Sequence, residues 1–149
     1  MEMLPLEARH VEEVTALERE AFAGADPWTA DAFRREIASR CSLWRIAMDE
    51  GKVAGYGGGW IIQDEFHILN LAVPLAARRR GTGRRLLREI LARAAERGCT
   101  SATLEVRRAN AAARQLYESE GFRPTGARPG YYSNGEDAMI YWLVGLAAV

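Results

Sequence analysis

The run Arg78-Arg79-Arg80-Gly81-Thr82-Gly83-Arg84 concentrates more reactive chemistry than any other stretch of this chain. It follows the apolar stretch Leu71-Ala72-Val73 and opens the clearest helical pattern in the sequence. There Leu86, Leu87, Ile90, Leu91 and Ala94 recur at helical spacing, and Gly98 ends the run. The first turn of a helix carries N–H groups without intrahelical partners and a partial positive charge. Glycines let an anion approach those groups, and arginines add bidentate donors around it. A phosphorylated ligand is therefore expected at this point. No Gly-Lys-Ser/Thr follows, so the loop is not of the Walker type, and the three-glycine dinucleotide spacing is also missing. Two other readings stay open: a helix start with a solvated basic face, and an RNA-binding patch built from Arg78, Arg79, Arg80, Arg84, Arg85 and Arg88. No aromatic platform is interleaved among those arginines for base stacking.

Four more residues have side chains suited to chemistry. Glu105 sits inside the apolar strand Ala102-Thr103-Leu104-Glu105-Val106, where a carboxylate must meet polar surroundings or water. Alternation along a strand allows it equally to be an ordinary solvent-facing residue. Tyr117 shares one helical face with Asn110 and Ala113 at spacings of three and seven. A core aromatic with its hydroxyl at the surface is the competing reading. Asn110 suits a helix N-cap. His67 lies four residues before Leu71 on one strand, so the two are expected to share a face, and an imidazole ordinarily titrates near neutrality. His10 is expected at the surface.

The elements that must position these residues follow from periodicity and punctuation. Met3, Leu4 and Leu6 suggest a first strand, and Val11, Val14, Leu17 and Ala21 an amphipathic helix over about 8–21. Gly24-Ala25-Asp26-Pro27 breaks it, and Thr29 caps a second helix near 29–39. Strands are expected over 43–48 and 53–62, joined by the hairpin turn Asp49-Glu50-Gly51-Lys52, and then over 65–73. Gly57-Gly58-Gly59 marks a place where another backbone or a ligand comes close. After the long helix come a strand at 100–106, a short helix from Asn110 to about Ser119, and two last strands from Phe122 and over 138–144. The strand–helix–strand unit at 65–106 implies a parallel or mixed sheet in an α/β fold.

The 149 residues suit one domain, spanning 1–149. With 20 basic and 20 acidic residues the net charge is zero, which argues against a surface built throughout for nucleic acid. Cys41 and Cys99 are too few for a disulfide scaffold, fit no metal motif, and read as small buried apolar residues. The N-terminal stretch is too acidic for a signal peptide, and no apolar run reaches the roughly 20 residues of a membrane span, so a cytoplasmic location follows by elimination.

Arg78-x-x-Gly81-x-Gly83 after Leu71-Ala72-Val73 resembles the cofactor motif of the GNAT acetyltransferases. Asn110-x-x-Ala113-x-x-Leu116-Tyr117-x-x-x-Gly121-Phe122 resembles their second motif, in the same order and at the usual distance. The likeness narrows to the RimI-type N-terminal protein acetyltransferases. Pro27-Trp28-Thr29 with Phe33, Leu104-Glu105-Val106-Arg107 before Asn110, and Tyr131-Tyr132 before Glu136-Asp137-Ala138 are similar to their corresponding segments. Pro74-Leu75 stands where the family often has Asp-Pro, a departure that touches the wall of the cofactor site.

The resemblance implies a GNAT fold. Its central sheet would be mixed and largely antiparallel, with about seven strands and about four helices, splayed between strands four and five. It implies acetyl-CoA as donor, with no metal. Leu71, Ala72 and Val73 would pair with the pantetheine arm. Arg78 through Arg84 would cradle the pyrophosphate, and Asn110 would bond the pantetheine or adjacent backbone. Glu105 would be the base that takes a proton from the amine, and Tyr117 the acid at the leaving sulfur. Trp28, Tyr131 and Tyr132 would line the acceptor groove, with His67 nearby; Trp44, Trp60 and Trp142 are expected in the core or an interface. The acceptor implied is a protein α-amine, the N-terminal alanine of small-subunit ribosomal protein eighteen, with the enzyme a monomer or weak dimer. Two alternatives remain: the same fold acting on a small amine or a lysine side chain, and a non-catalytic CoA-binding or ribosome-associated module.

Overall fold

The computed structural model describes residues 1–22, 27–74, 77–78 and 80–146. Gly24, Ala25 and Asp26 of the expected helix break, together with Leu75 and Arg79, lie outside the described residues. In chain order the elements are β1 (Glu2–Pro5), a 3-10 turn (Ala8–His10), α1 (Val11–Ala21), α2 (Ala30–Ala38), β2 (Ser42–Asp49), β3 (Lys52–Ile62) and β4 (Glu65–Ala72). Then come α3 (Thr82–Glu96), β5 (Ser101–Arg107), α4 (Ala111–Ser119), β6 (Arg123–Arg128) and β7 (Ala138–Val144). The strands form one sheet in the order β1-β2-β3-β4-β5-β7-β6. Every pairing is antiparallel except β4 with β5.

Helices cover the sheet on both faces and make two cores. Val11, Val14 and Phe33 of α1 and α2 pack on Trp44, Ile46 and Tyr56. On the other face the expected stripe of α3, including Leu87, Ile90, Leu91 and Ala94, packs with Tyr117 and Phe122 on Phe66, Ala102 and Leu104. Each Val, Leu, Ile or Phe side chain among them contributes about 1.5–3 kcal/mol on leaving water. Local signals set the ends of these helices. Thr29 Oγ1 accepts from the Ala32 N–H at 3.1 Å and starts α2, while Gly98 and Gly121, both left-handed, follow α3 and α4. No helix among the described residues is long and apolar enough to cross a membrane.

Two expectations fail on burial. His10 is buried, because its Nδ1 accepts the Glu7 N–H in a capping arrangement that folds the ring under the 3-10 turn. Cys99 is buried as expected, but Cys41 is exposed, since it falls on the turn between α2 and β2.

The feature that shapes the site is a bulge in β4. Gly58 pairs with Asn70 and Gly59 with Ile68, so Leu69 is an extra residue without its own partner on β3. The glycine run makes room for it: a Cβ on Gly59 would run into the His67 carbonyl, and one on Gly58 into the Leu43 carbonyl and Trp44. It is backbone, not ligand, that approaches those glycines. The extra residue reverses the alternation of the strand. Phe66 and Ile68 face the α3–α4 core, and beyond the bulge Leu71 does. His67 therefore does not share a face with Leu71. A one-residue slip sends each later side chain to the opposite face.

Candidate active site

β4 and β5 pair only from Glu65 with Ser101 to Ile68 with Leu104. Beyond that the strands part, leaving one edge of Leu69 through Ala72 without a strand partner. A cleft of about 270 Å³ opens there, lined by Leu71, Glu105, Asn110, Ala113, Tyr117, Tyr132, Trp28 and Glu18 among others. A smaller cavity of about 230 Å³ adjoins it, with His67, Thr103 and Tyr131 in its wall, and Glu105 and Tyr132 line both. A third cavity, at the junction of α2, β2 and α3, brings together none of the expected site residues.

At the mouth near α3, Gly81 takes a left-handed backbone with φ of 75°, and a Cβ there would meet nothing within 4 Å. Glycine is needed for that turn, and the space in front of the helix is open. The N–H groups of the first helical turn that follows, Thr82, Gly83 and Arg84, have no acceptors within the helix. The arginine side chains are placed less simply than their cluster suggests. Arg78 Nε donates to the Val73 carbonyl at 2.9 Å, bending the loop back onto the end of β4. Arg80 lies 3.8 Å from the Asp49 carboxylate. Arg84 donates to Ser119 and to Glu120, and Arg88 also donates to Glu120. These bonds hold the Glu120 carboxyl below the usual carboxylate range. The side chains of Arg84 and Arg88 thus tie α3 to α4.

Tyr117 comes in from α4 at the centre of the cleft. Its ring sits edge-on to Phe122, with centroids 5.8 Å apart, and its side chain is buried. Burial pushes the phenol up to about 12, with Tyr132 adding to the shift. No hydrogen-bond partner for its hydroxyl is found among the described residues. Asn110 Oδ1 caps α4 by accepting the Ala113 N–H at 3.1 Å. Asn110, Ala113 and Tyr117 share the face toward the cleft, as their spacing implies.

Glu105 reaches the cleft from β5, where the strands have already parted. Its Oε1 lies 3.2 Å from Arg128 Nε. The Glu105 carboxylate beside Tyr131 raises that phenol above its ordinary value, burial adds to this, and Arg128 opposes it. Tyr131 and Tyr132 pack edge-to-face at 5.1 Å, and the Arg107 guanidinium stacks 3.9 Å from the Tyr132 ring centre. Arg107 Nη1 also donates to Glu136 at 3.2 Å, and the Arg108 N–H to the Asp137 carbonyl. The 131–137 loop is thereby fastened to the end of β5. His67 faces the smaller cavity, with its Nε2 3.0 Å from Glu65 and its ring edge-on to Trp142. Trp28 does two jobs: it packs against Phe33 and Trp44 and also lines the cleft. Trp44 is core as expected, whereas Trp60 stands 42% exposed, its indole N–H held by Glu36.

Sequence reasoning gave no role to Glu18, Asn70, Arg107 or Arg128, all of which contact residues of the site. Glu18 had a signal. It continues the apolar stripe of Val11 and Val14 on α1, and an acid on a core-facing stripe must have partners. Arg107 and Arg128 reach the site through β5–β7–β6 pairing, which no local pattern encodes.

A sheet that parts after one short parallel pairing, with a left-handed glycine and a helix start beside the gap, is an acyl-CoA transferase architecture. Residues 11–122 match the Acetyltransferase (GNAT) family, and the chain belongs to that family. It is an acetyl-CoA-dependent N-acetyltransferase. It is 42% identical over 127 residues to N-alpha-acetyltransferase RimI of Mycobacterium tuberculosis (strain ATCC 25618 / H37Rv), covering 82% of this chain and 78% of that one. It is 36% identical over 124 residues to the [ribosomal protein bS18]-alanine N-acetyltransferase of Escherichia coli (strain K12), covering 81% and 83%. The crystal structure of the ribosomal-protein-S18-alanine N-acetyltransferase from Escherichia coli superposes with a TM-score of 0.88 at 32% identity, over 99% of this chain and 95% of that one.

Proposed function

We propose that this chain transfers the acetyl group of acetyl-CoA to the α-amine of a protein N-terminus, the N-terminal alanine of ribosomal protein bS18. The acceptor rests on the names of the relatives above. The chemistry rests on one observation: Glu105 and Tyr117 face the same cleft from opposite walls, where β4 and β5 part.

The donor end takes acetyl-CoA. The backbone of Leu71, Ala72 and Val73 pairs with the pantetheine amides as a strand would. The N–H groups of Gly81, Thr82, Gly83 and Arg84 bind the pyrophosphate, and Arg78, Arg79 and Arg80 add positive charge around it. With its side chain committed to Glu120, Arg84 contributes through its backbone. Asn110 holds the start of α4 so that Tyr117 meets the thioester sulfur.

An α-amine with a pKa near ~8 arrives largely protonated at neutral pH. Glu105 first takes one proton from the ammonium, directly or through one water, and so frees the nitrogen lone pair to attack the thioester carbonyl. The C–N bond forms, the C–S bond breaks, and Tyr117 donates its proton to the departing sulfur; the second proton from the nitrogen then returns through water to the Tyr117 oxygen, and Glu105 gives its proton to solvent. A phenol held near 12 stays protonated through the working pH range, as an acid must. Trp28, Tyr131, Tyr132 and His67 border the path of the acceptor chain.

The direct test incubates the enzyme with acetyl-CoA and an alanine-starting peptide of ribosomal protein bS18, and locates added acetyl by mass spectrometry. Acetyl on the α-amine supports the proposal. Acetyl confined to a lysine, or the same rate with a blocked α-amine, would overturn the acceptor.

A further inference from the structure

The transfer chemistry leaves one buried charge unused. Glu18, on α1, is 2% exposed, yet it lines the same cleft as Glu105 and Tyr117. Its Oε1 accepts from the Tyr56 hydroxyl at 2.7 Å and from Asn70 Nδ2 at 2.6 Å. Its Oε2 accepts from the Trp28 backbone N–H at 2.9 Å. All three donors are neutral. Burying a carboxylate without a cation is costly, and a well-packed apolar side chain would serve stability better.

What the carboxylate accomplishes is geometric. Two of its partners, Tyr56 and Asn70, stand on neighbouring paired strands, and among the described residues Glu18 gives the only hydrogen bond that joins the Trp28 backbone to them. Trp28 lies on the segment leading into α2, Asn70 is the first residue past the β4 bulge, and Tyr56 belongs to the floor formed by β3. Trp28 and Asn70 both border the cleft. We infer that Glu18 is a positioning residue of the acceptor site. It ties the Trp28 backbone to Asn70 and so fixes the gap between the segment before α2 and the released half of β4, through which the acceptor reaches the thioester. This rests on the acceptor assignment above.

The chemistry of the partners gives a specific test. A leucine at position 18 accepts from none of them, whereas Glu18→Gln can rebuild the tie: its oxygen keeps the Trp28 N–H, its NH2 donates to Asn70 once that amide turns its Oδ1 inward, and the Tyr56 hydroxyl rotates to suit.

In steady-state kinetics Glu18→Leu is expected to raise the KM for the bS18 peptide about tenfold, the loss of roughly one charge-assisted hydrogen bond. The KM for acetyl-CoA should stay within about twofold. Glu18→Gln should keep the peptide KM within about threefold of the unmodified enzyme. Hydrogen exchange at the Trp28 amide should quicken in the leucine variant and stay slow in the glutamine variant. The proposal is overturned if both KM values rise together, if the glutamine variant is no better than the leucine variant, or if Trp28 exchange is unchanged by leucine. Asn70→Ala, which removes one donor and leaves the carboxylate, must show the same split in KM and keeps the test available should Glu18→Leu not fold. If the unmodified enzyme fails to acetylate the peptide, it is the acceptor assignment that falls, and Trp28 exchange still tests the tie.

Discussion

The first half of β4, Glu65 to Ile68, is bonded on both sides, to β3 and to β5. The second half, Leu69 to Ala72, is bonded to β3 alone. In the first half the side chains and backbone serve the fold: Phe66 and Ile68 fill the α3–α4 core. In the second half backbone groups are left open beside a cleft, and Leu71 and Asn70 face it. An unpaired strand edge is a template for another extended chain. The bulge at Leu69 separates the two roles without ending the strand. Stability is invested upstream of it and chemistry downstream, and the downstream half borrows its rigidity from β3 and from Glu18.

The strongest way to break this comparison is at the point where β5 leaves β4. Glu105→Gln is expected to lower kcat with the alanine peptide about 10²–10³-fold, the usual worth of a positioned base. Full rate retained across about pH 6–9 would make Glu105 a spectator of the gap. Tyr117→Phe should lower kcat about 10–100-fold while leaving the KM for acetyl-CoA nearly unchanged, because the ring still fills its place against Phe122. An equal rise in that KM would mean that the phenol binds the donor and does not protonate the sulfur.

The comparison can also be sharpened from the structural half. In Gly59→Ala the new methyl would collide with the His67 carbonyl, which belongs to the doubly paired segment. A loss of about 2–4 kcal/mol in urea unfolding is expected, in the range of strained core substitutions. A neutral result would mean that β4 shifts easily, and the bulge would then not be a fixed divider.

Most of the site was legible where spacing along one element carried it. Asn110, Ala113 and Tyr117 meet the cleft because helical spacing alone puts them on one face, and Gly81 starts α3 because glycine before a periodic run is a local signal. The paired placement of Glu105 and Tyr117 came from resemblance, since β5 and α4 meet only through tertiary packing. The error on His67 has a clear physical source. Alternation along a strand assumes no bulge, and the bulge arises because Gly58 and Gly59, one strand away, admit an extra residue. The partners of the arginine cluster were hidden for a similar reason. Its sequence shows the charges but not Glu120, more than thirty positions on, which takes up Arg84 and Arg88.

The smallest expected effect is a stability measurement that separates the two halves by pH. The Tyr117 phenol, on the chemical side of the divide, is raised by burial to about 12, against an ordinary value of 10.0. A raised folded pKa means that the folded state holds the proton more tightly than the unfolded chain. The contribution of Tyr117 is therefore fully present below about pH 10 and is lost between about pH 10 and 12 as the unfolded phenol ionises first. Near pH 11 the loss should be on the order of 1 kcal/mol relative to pH 9. Tyr56, in the Glu18 network, is also raised, by burial and then by its bond to Glu18, so some loss should remain in any Tyr117 variant. Urea unfolding of Tyr117→Phe at both pH values should show a smaller drop than the unmodified protein, by roughly that 1 kcal/mol. Equal drops in the two proteins would mean that the Tyr117 hydroxyl already meets water, and the cleft would then be too wet at its centre for a phenol to hold its proton against the thiolate.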